Sequence, residues 1–127
     1  MRLVIAGSRD INWYHLIRDT FTNLPDYGKF KEIVSGGARG VDKLGELIAQ
    51  EFELKLTVMN AKWDQYGKSA GYKRNKEMAK YTDEALIIWD GVSKGTKHMI
   101  DLMDEENKIC HSFMLTTRPI YVDRRQT

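Results

Sequence analysis

Apolar positions along the chain fall into two signatures, short unbroken runs and longer stretches with a helical period. Leu3-Val4-Ile5-Ala6, Glu32-Ile33-Val34 and Ala85-Leu86-Ile87-Ile88-Trp89 are continuous runs, as expected of strands covered on both faces. Between the first two, Trp13, Leu16, Ile17, Phe21 and Leu24 recur with a 3.6-residue period until Pro25 and Gly28 end it, which predicts an amphipathic helix from Asn12. Leu44, Leu47, Ile48 and Phe52 mark a second helix, in which Gly45 and Ala49 are small enough to let it lie close to a sheet. Leu54, Leu56 and Val58 alternate with polar residues and predict a third strand near an edge, within Leu54 to Met59.

Farther on, Ser69 can cap a helix running through Arg74, Asn75 and Met78 to about Tyr81, although its apolar stripe is weak. Met99, Ile100 and Met103 set the inner face of another helix ending near Asn107, and Ile109 to Leu115 predicts a fifth strand. Pro119 to Val122 reads as a short edge segment and residues 123–127 as a loose charged tail. Strands alternating with helices predict an α/β domain over residues 1–122, with a mostly parallel sheet of about five strands and helices on both faces.

In such sheets ligands bind beyond the carboxyl ends of the strands. Three loops fall there: Gly7-Ser8-Arg9, the run Ser35-Gly36-Gly37-Ala38-Arg39-Gly40-Val41-Asp42, and Asp90-Gly91-Val92-Ser93-Lys94-Gly95-Thr96. The last two each join an apolar strand to a helix. Glycines let the backbone turn sharply and approach a ligand, and the following helix offers unpaired N–H groups and a positive dipole end, so phosphate is the expected guest. Neither run has the dinucleotide fingerprint or the P-loop spacing.

Several side chains could act beside these loops. Arg74 shares a helical face with Met78, which places its guanidinium next to the core, where it can fork onto a phosphate or carboxylate. Arg9 either grips phosphate or forms a salt bridge across the crevice. Trp63 and Tyr66, in the aperiodic stretch 60–68, either stack on a base or anchor the loop to the core. Asp42 can cap its helix, and Asp90 can bond its own loop backbone.

Composition narrows the partners. The chain has 127 residues, 42% hydrophobic and 30% charged, with a formal net charge of +2. That is one ordinary globular domain with too little excess basicity to argue for nucleic acid, even though Lys73, Arg74, Lys76 and Lys80 cluster. Cys110 is the only cysteine, and His15, His98 and His111 lack paired-ligand spacing, so neither a disulfide nor a metal or other cofactor is expected. No apolar run is long enough for a bilayer, so no membrane partner is expected, and the opening residues enter a strand without signal-peptide character, which predicts a cytoplasmic location.

Ala6-Gly7-Ser8-Arg9, the Ser35 to Asp42 run, Arg74-Asn75 with Met78, and Trp89-Asp90-Gly91 with Ser93, Gly95 and Thr96 together resemble the SLOG superfamily, most closely its YspA-like branch of bacteria and phages. The resemblance implies a Rossmann-like three-layer sandwich and a homodimer. It also implies a nucleotide or nucleotide-derived ligand bound between the two Gly-rich loops. Its binding set would be Gly7, Ser8, Arg9, Ser35, Gly36, Gly37, Arg39, Gly40, Arg74, Asn75, Gly91, Ser93, Gly95 and Thr96.

The LOG enzymes of the superfamily cleave the N-glycosidic bond of nucleoside 5′-monophosphates, and by position Arg74 matches their substrate arginine and Gly95-Thr96 their phosphate turn. Their catalytic glutamate, three residues after the threonine, is replaced here by Met99. A carboxylate stabilises the positive charge that develops on the sugar, so a hydrolase built on this chain would draw one from Asp90 first, Asp42 second, or Asp64. Three functions follow: a receptor or sequestering protein for a nucleotide, an N-glycosidase, and a single-stranded DNA-binding module like DprA, which is disfavoured by the weak basicity.

Overall fold

A computed structural model describes residues 1–115, so the segment 119–122 and the tail 123–127 lie outside the described residues. Five strands, β1 (Arg2–Gly7), β2 (Glu32–Ser35), β3 (Lys55–Val58), β4 (Glu84–Trp89) and β5 (Ile109–Met114), form one sheet in the order β3-β2-β1-β4-β5. Every pairing is parallel, so the sheet is wholly rather than mostly parallel. The helices are α1 (Tyr14–Thr22), α2 (Val41–Glu51), the single turn α3 (Trp63–Tyr66), α4 (Ala70–Tyr81) and α5 (Lys94–Glu105).

Alternate residues of β1 explain the three layers. Leu3 and Ile5 join Ile17, Phe21, Leu44 and Ile48 under α1 and α2. Val4 and Ala6 join Met78, Ala79, Met99 and Met103 under α4 and α5. Period-two side chains on a strand covered on both faces require this split. The chain leaves β3 at one edge and crosses to β4 on the far side of β1, so the strand order reverses between β1 and β4. Crevices form at such switch points.

Gly45 sets how closely α2 lies on the sheet, since a Cβ there would meet the Ile5 Cβ at 2.7 Å. At the amino-terminal ends of the strands the buried Glu32 carboxylate accepts hydrogen bonds from Thr57 (2.6 Å) and Tyr81 (2.6 Å). Burial pushes its pKa up, but these bonds, with Lys55 and Arg2, hold it below the ordinary value.

Some positions depart from the periodicity. Trp13 precedes α1 and is 60% exposed, because the helix begins only at Tyr14. Leu24 is buried beyond the end of α1, where the chain bends under the core. Leu47 is 45% exposed on α2, and Leu56 and Val58 face outward on the edge strand β3. Around Leu47 and Leu56 no further layer packs among the described residues, so helical spacing and strand alternation do not produce burial there.

Candidate functional site

A crevice of about 320 Å³ opens at the switch point between β1 and β4. Gly7 and Arg9 come from the end of β1, Ala38 and Asp42 from the first Gly-rich run, Arg74 and Asn75 from α4, and Ser93, Gly95 and Thr96 from the opening of α5. Met78 and Met99 form its apolar floor. Behind Arg74 a second lobe of about 310 Å³ is lined by Gly36, Gly37, Arg39, Asn60 and Ala61.

The first Gly-rich run folds as it does because Gly37 and Gly40 adopt φ of +78° and +79°, a region costly for residues with a Cβ. Its fold is internally satisfied. The Ser35 hydroxyl donates to Glu46 (2.7 Å) and accepts the Gly37 N–H (3.0 Å), while the Ala38 N–H donates to Asp42 Oδ2 (3.2 Å). The Val41 N–H donates to the Ser8 carbonyl (3.3 Å). The Asp42 carboxylate, at the second position of α2, is thus turned back onto the loop, and no side chain caps the helix.

Asp42 is buried. Burial pushes its pKa up, partly offset by the Ala38 N–H, Arg74 and the Gly7 N–H, and leaves it at about 6. Beside it the Arg74 guanidinium donates through Nη1 to the Gly36 carbonyl and through Nε to Asn75 Oδ1 (3.0 Å). Burial lowers the Arg74 pKa, Asp42 raises it and the nearby Arg9 lowers it further, so two guanidinium groups share this part of the crevice. Asn75 in turn donates through Nδ2 to the Gly95 carbonyl (3.1 Å), so one amide ties the arginine to the α5 turn.

α5 opens from the second Gly-rich run. Asp90 accepts the N–H groups of Val92 (2.9 Å) and Ser93 (2.8 Å) just before the helix. No side chain caps α5, and the N–H groups of Lys94, Gly95 and Thr96 have no protein partner among the described residues. These free donors and the positive dipole end face the crevice, where an anion is favoured.

The residues named from sequence therefore divide. Gly7, Arg9, Arg74, Asn75, Ser93, Gly95 and Thr96 come together on the main crevice, while Gly36, Gly37 and Arg39 line the second lobe. Ser8, Ser35 and Gly40 are buried: the Ser8 hydroxyl accepts the Asp90 N–H (2.9 Å) and ties the β1 loop to the β4 loop. Asp90 lies off the crevice lining, and so does Gly91, which turns at φ +88°. Burial pushes the Asp90 pKa up, but the Val92 and Ser93 N–H groups and the Ser8 hydroxyl hold it below the ordinary value. Its carboxylate is committed to the turn.

Trp63 lines both lobes and is 50% exposed, whereas Tyr66 lies outside them under the Lys73 ammonium, 4.8 Å from its ring centroid. Lys68 and Tyr72 also line the main crevice, and nothing in the apolar pattern marks them. Tyr72 packs edge-on against His98 at 4.6 Å between ring centroids. Its position two residues before Arg74 at the opening of α4 is the available signal, obscured by that helix's weak apolar stripe.

A wholly parallel three-layer sandwich with a crevice at its switch point, lined by Gly-rich strand-to-helix loops, defines a Rossmann-like domain. The sequence profile described as the YspA, cpYpsA-related SLOG family matches residues 1–66. The chain is also similar to the Gene 61 protein of Mycobacterium phage D29, 36% identical over 107 residues that cover 76% of this chain and 83% of that protein. The chain belongs to the YspA, cpYpsA-related SLOG family, whose membership suggests a nucleotide-related role. No solved structure matches it. No helix among the described residues is long and apolar enough to cross a membrane.

Proposed function

We propose that the crevice binds a nucleoside 5′-phosphate, with the phosphate on the free N–H groups that open α5. The observation that carries this reading is the opening of α5, which no side chain caps and whose Ser93, Gly95 and Thr96 line the crevice together with Arg74 and Arg9. Guanidinium groups supply the counter-charge, and Trp63 and Tyr72 offer aromatic surface for the base. The chain then acts as a receptor or sequestering protein for a nucleotide. Calorimetric titration with the ribo- and deoxyribonucleoside 5′-monophosphates tests it. Saturable binding to at least one, absent for the matching nucleoside, is expected, and silence across the panel sinks the reading.

A second reading, N-glycoside hydrolysis of the same ligand, is favoured by Asp42. Its carboxylate lies on the crevice wall beside Arg74 with a pKa raised to about 6, suited to directing and deprotonating a water near neutral pH. That water adds to the anomeric carbon as the C–N bond breaks, and the base leaves with a proton. Met99 offers no such group. Chromatography of nucleotide incubated with the protein distinguishes the readings: free base that disappears in Asp42→Asn supports hydrolysis, and intact nucleotide leaves binding alone.

A further inference from the structure

The second lobe has no task in holding one nucleotide. It is as large as the first, about 310 against about 320 Å³, and small-ligand sites begin at about 300 Å³. The two lobes share four residues, Arg9, Ala38, Trp63 and Arg74, and so form one continuous crevice with a waist.

The waist is cationic, and the buried Asp42 beside Arg74 offsets only part of its charge. Arg9 is close enough to Arg74 to disfavour its charge, and neither forms an ion pair with a carboxylate among the described residues. Two guanidinium groups against one carboxylate leave net positive charge, and an anion between them relieves the repulsion. The phosphate on α5 takes up part of this positive potential, and a second phosphate at the waist would take up the rest. The half-exposed Trp63 indole stands at the same waist, on the walls of both lobes, where a base can stack on it. Arg39, at the rim of the second lobe, is held only by a solvent-exposed pairing with Asp10 at 3.5 Å and is free to turn inward.

We infer that the two lobes together take a ligand of two nucleotide units, with the phosphate that joins them held at the waist by Arg9 and Arg74. This rests on the nucleotide reading of the first lobe. The shared chemistry is a phosphate bridge between two nucleosides. The bridge is either a 5′,5′-diphosphate or a 3′,5′-phosphodiester carrying a 5′-phosphate.

The test is calorimetric titration of the full chain with the nucleoside monophosphate that binds best and with both dinucleotides of the same base. At least one dinucleotide is expected to bind about tenfold tighter than the monophosphate or better, and which one identifies the bridge. Ala61→Phe fills the second lobe and touches only that lobe, so it should abolish the gain while the monophosphate binds within about twofold of wild type. Arg39→Glu, at an exposed position that leaves folding intact, should cut the gain severalfold.

A monophosphate that binds with no dinucleotide more than about threefold tighter overturns this inference and leaves the nucleotide reading standing. A gain that survives both variants overturns it as well. Silence from every nucleotide overturns both.

Discussion

Gly36 separates the Arg74 guanidinium from the Asp42 carboxylate: a Cβ added there would lie 2.7 Å from Arg74 Nη1 and 2.7 Å from Asp42 Oδ2. The absence of a side chain is what allows cation and buried acid to share one wall of the crevice. Gly36→Ala should push Arg74 away, cost about 1–3 kcal/mol of stability through overpacking, and weaken nucleotide binding more than it weakens the fold. Denaturant unfolding beside calorimetric titration measures both, and a variant with wild-type affinity would show that the pair does not touch the ligand.

Asp42 makes the site costly to the fold. Its pKa in the folded chain, about 6, stands above the ordinary 3.8, so the folded state holds the proton more tightly than the unfolded chain. That stabilisation is fully present below about pH 4 and is lost as pH rises through 6. Above that, wild type carries a buried charge worth about 3 kcal/mol of lost stability, since each tenfold difference in proton affinity between the two states is worth about 1.4 kcal/mol. Asp42→Asn should therefore be more stable than wild type at pH 8 by up to that amount and equal to it at pH 4, as seen in melting temperatures across pH. Stabilisation at neutral pH with loss of base release would assign the acid to function.

Asp90 predicts the opposite profile. Its carboxylate accepts two backbone N–H groups in the turn before α5, so Asp90→Ala should cost about 1 kcal/mol, like other lost caps. Its pKa is lowered, so the stability it contributes is present above the ordinary carboxylate range and is lost as pH falls through the folded value. Nucleotide binding should change only as far as the α5 opening loosens. A complete loss of ligand with unchanged melting temperature would instead move the reactive carboxylate to Asp90.

These two aspartates show where sequence stops. Both lie at glycine-containing strand-to-helix junctions, and both types of position favour aspartate for local reasons. The alternation of apolar runs and helical periods carried the parallel sheet, its five strands and the loops at their ends, because each strand between two helical layers must be apolar on both faces. What separates Asp42 from Asp90 is burial and the approach of Arg74 from an element 32 residues away, which spacing does not encode. Ser8 and Ser35 mislead in the same way, since a hydroxyl in a Gly-rich loop reads as a ligand donor until its tertiary partners take it up. Tyr72 was hidden because the opening of α4 is exposed and weakly amphipathic, and its role depends on the crevice it borders.

Gly45 tests the packing that positions α2. Its absent Cβ would meet Ile5 at 2.7 Å on the central strand, a contact with no flexible end to move. Gly45→Ala should cost about 1–3 kcal/mol despite the better helix propensity of alanine. A neutral or stabilised variant by denaturant unfolding would show that α2 can lift from the sheet.

Asn75 offers the sharpest test of the crevice as a connected unit. The side chain is buried, accepts from Arg74 Nε at 3.0 Å, donates to the Gly95 carbonyl at 3.1 Å, and its Nδ2 lies 3.4 Å from His98 Nδ1. Burial lowers the His98 pKa, with Asp101 and Glu105 opposing and Lys76 reinforcing, which favours the neutral ring that can accept from the amide. Asn75→Asp keeps the shape and the acceptor for Arg74 but removes the donor, leaving the Gly95 carbonyl facing a carboxylate. Repulsion there, and negative charge beside the proposed phosphate, should weaken nucleotide binding about tenfold or more, while Asn75→Ala, which adds no charge, should weaken it less. Protonation of His98 would give the introduced carboxylate a partner, so the affinity of Asn75→Asp should recover toward pH 5 more than that of Asn75→Ala. Equal affinities of the two variants at every pH would show that Asn75 acts on the fold alone and does not link Arg74 to the α5 turn.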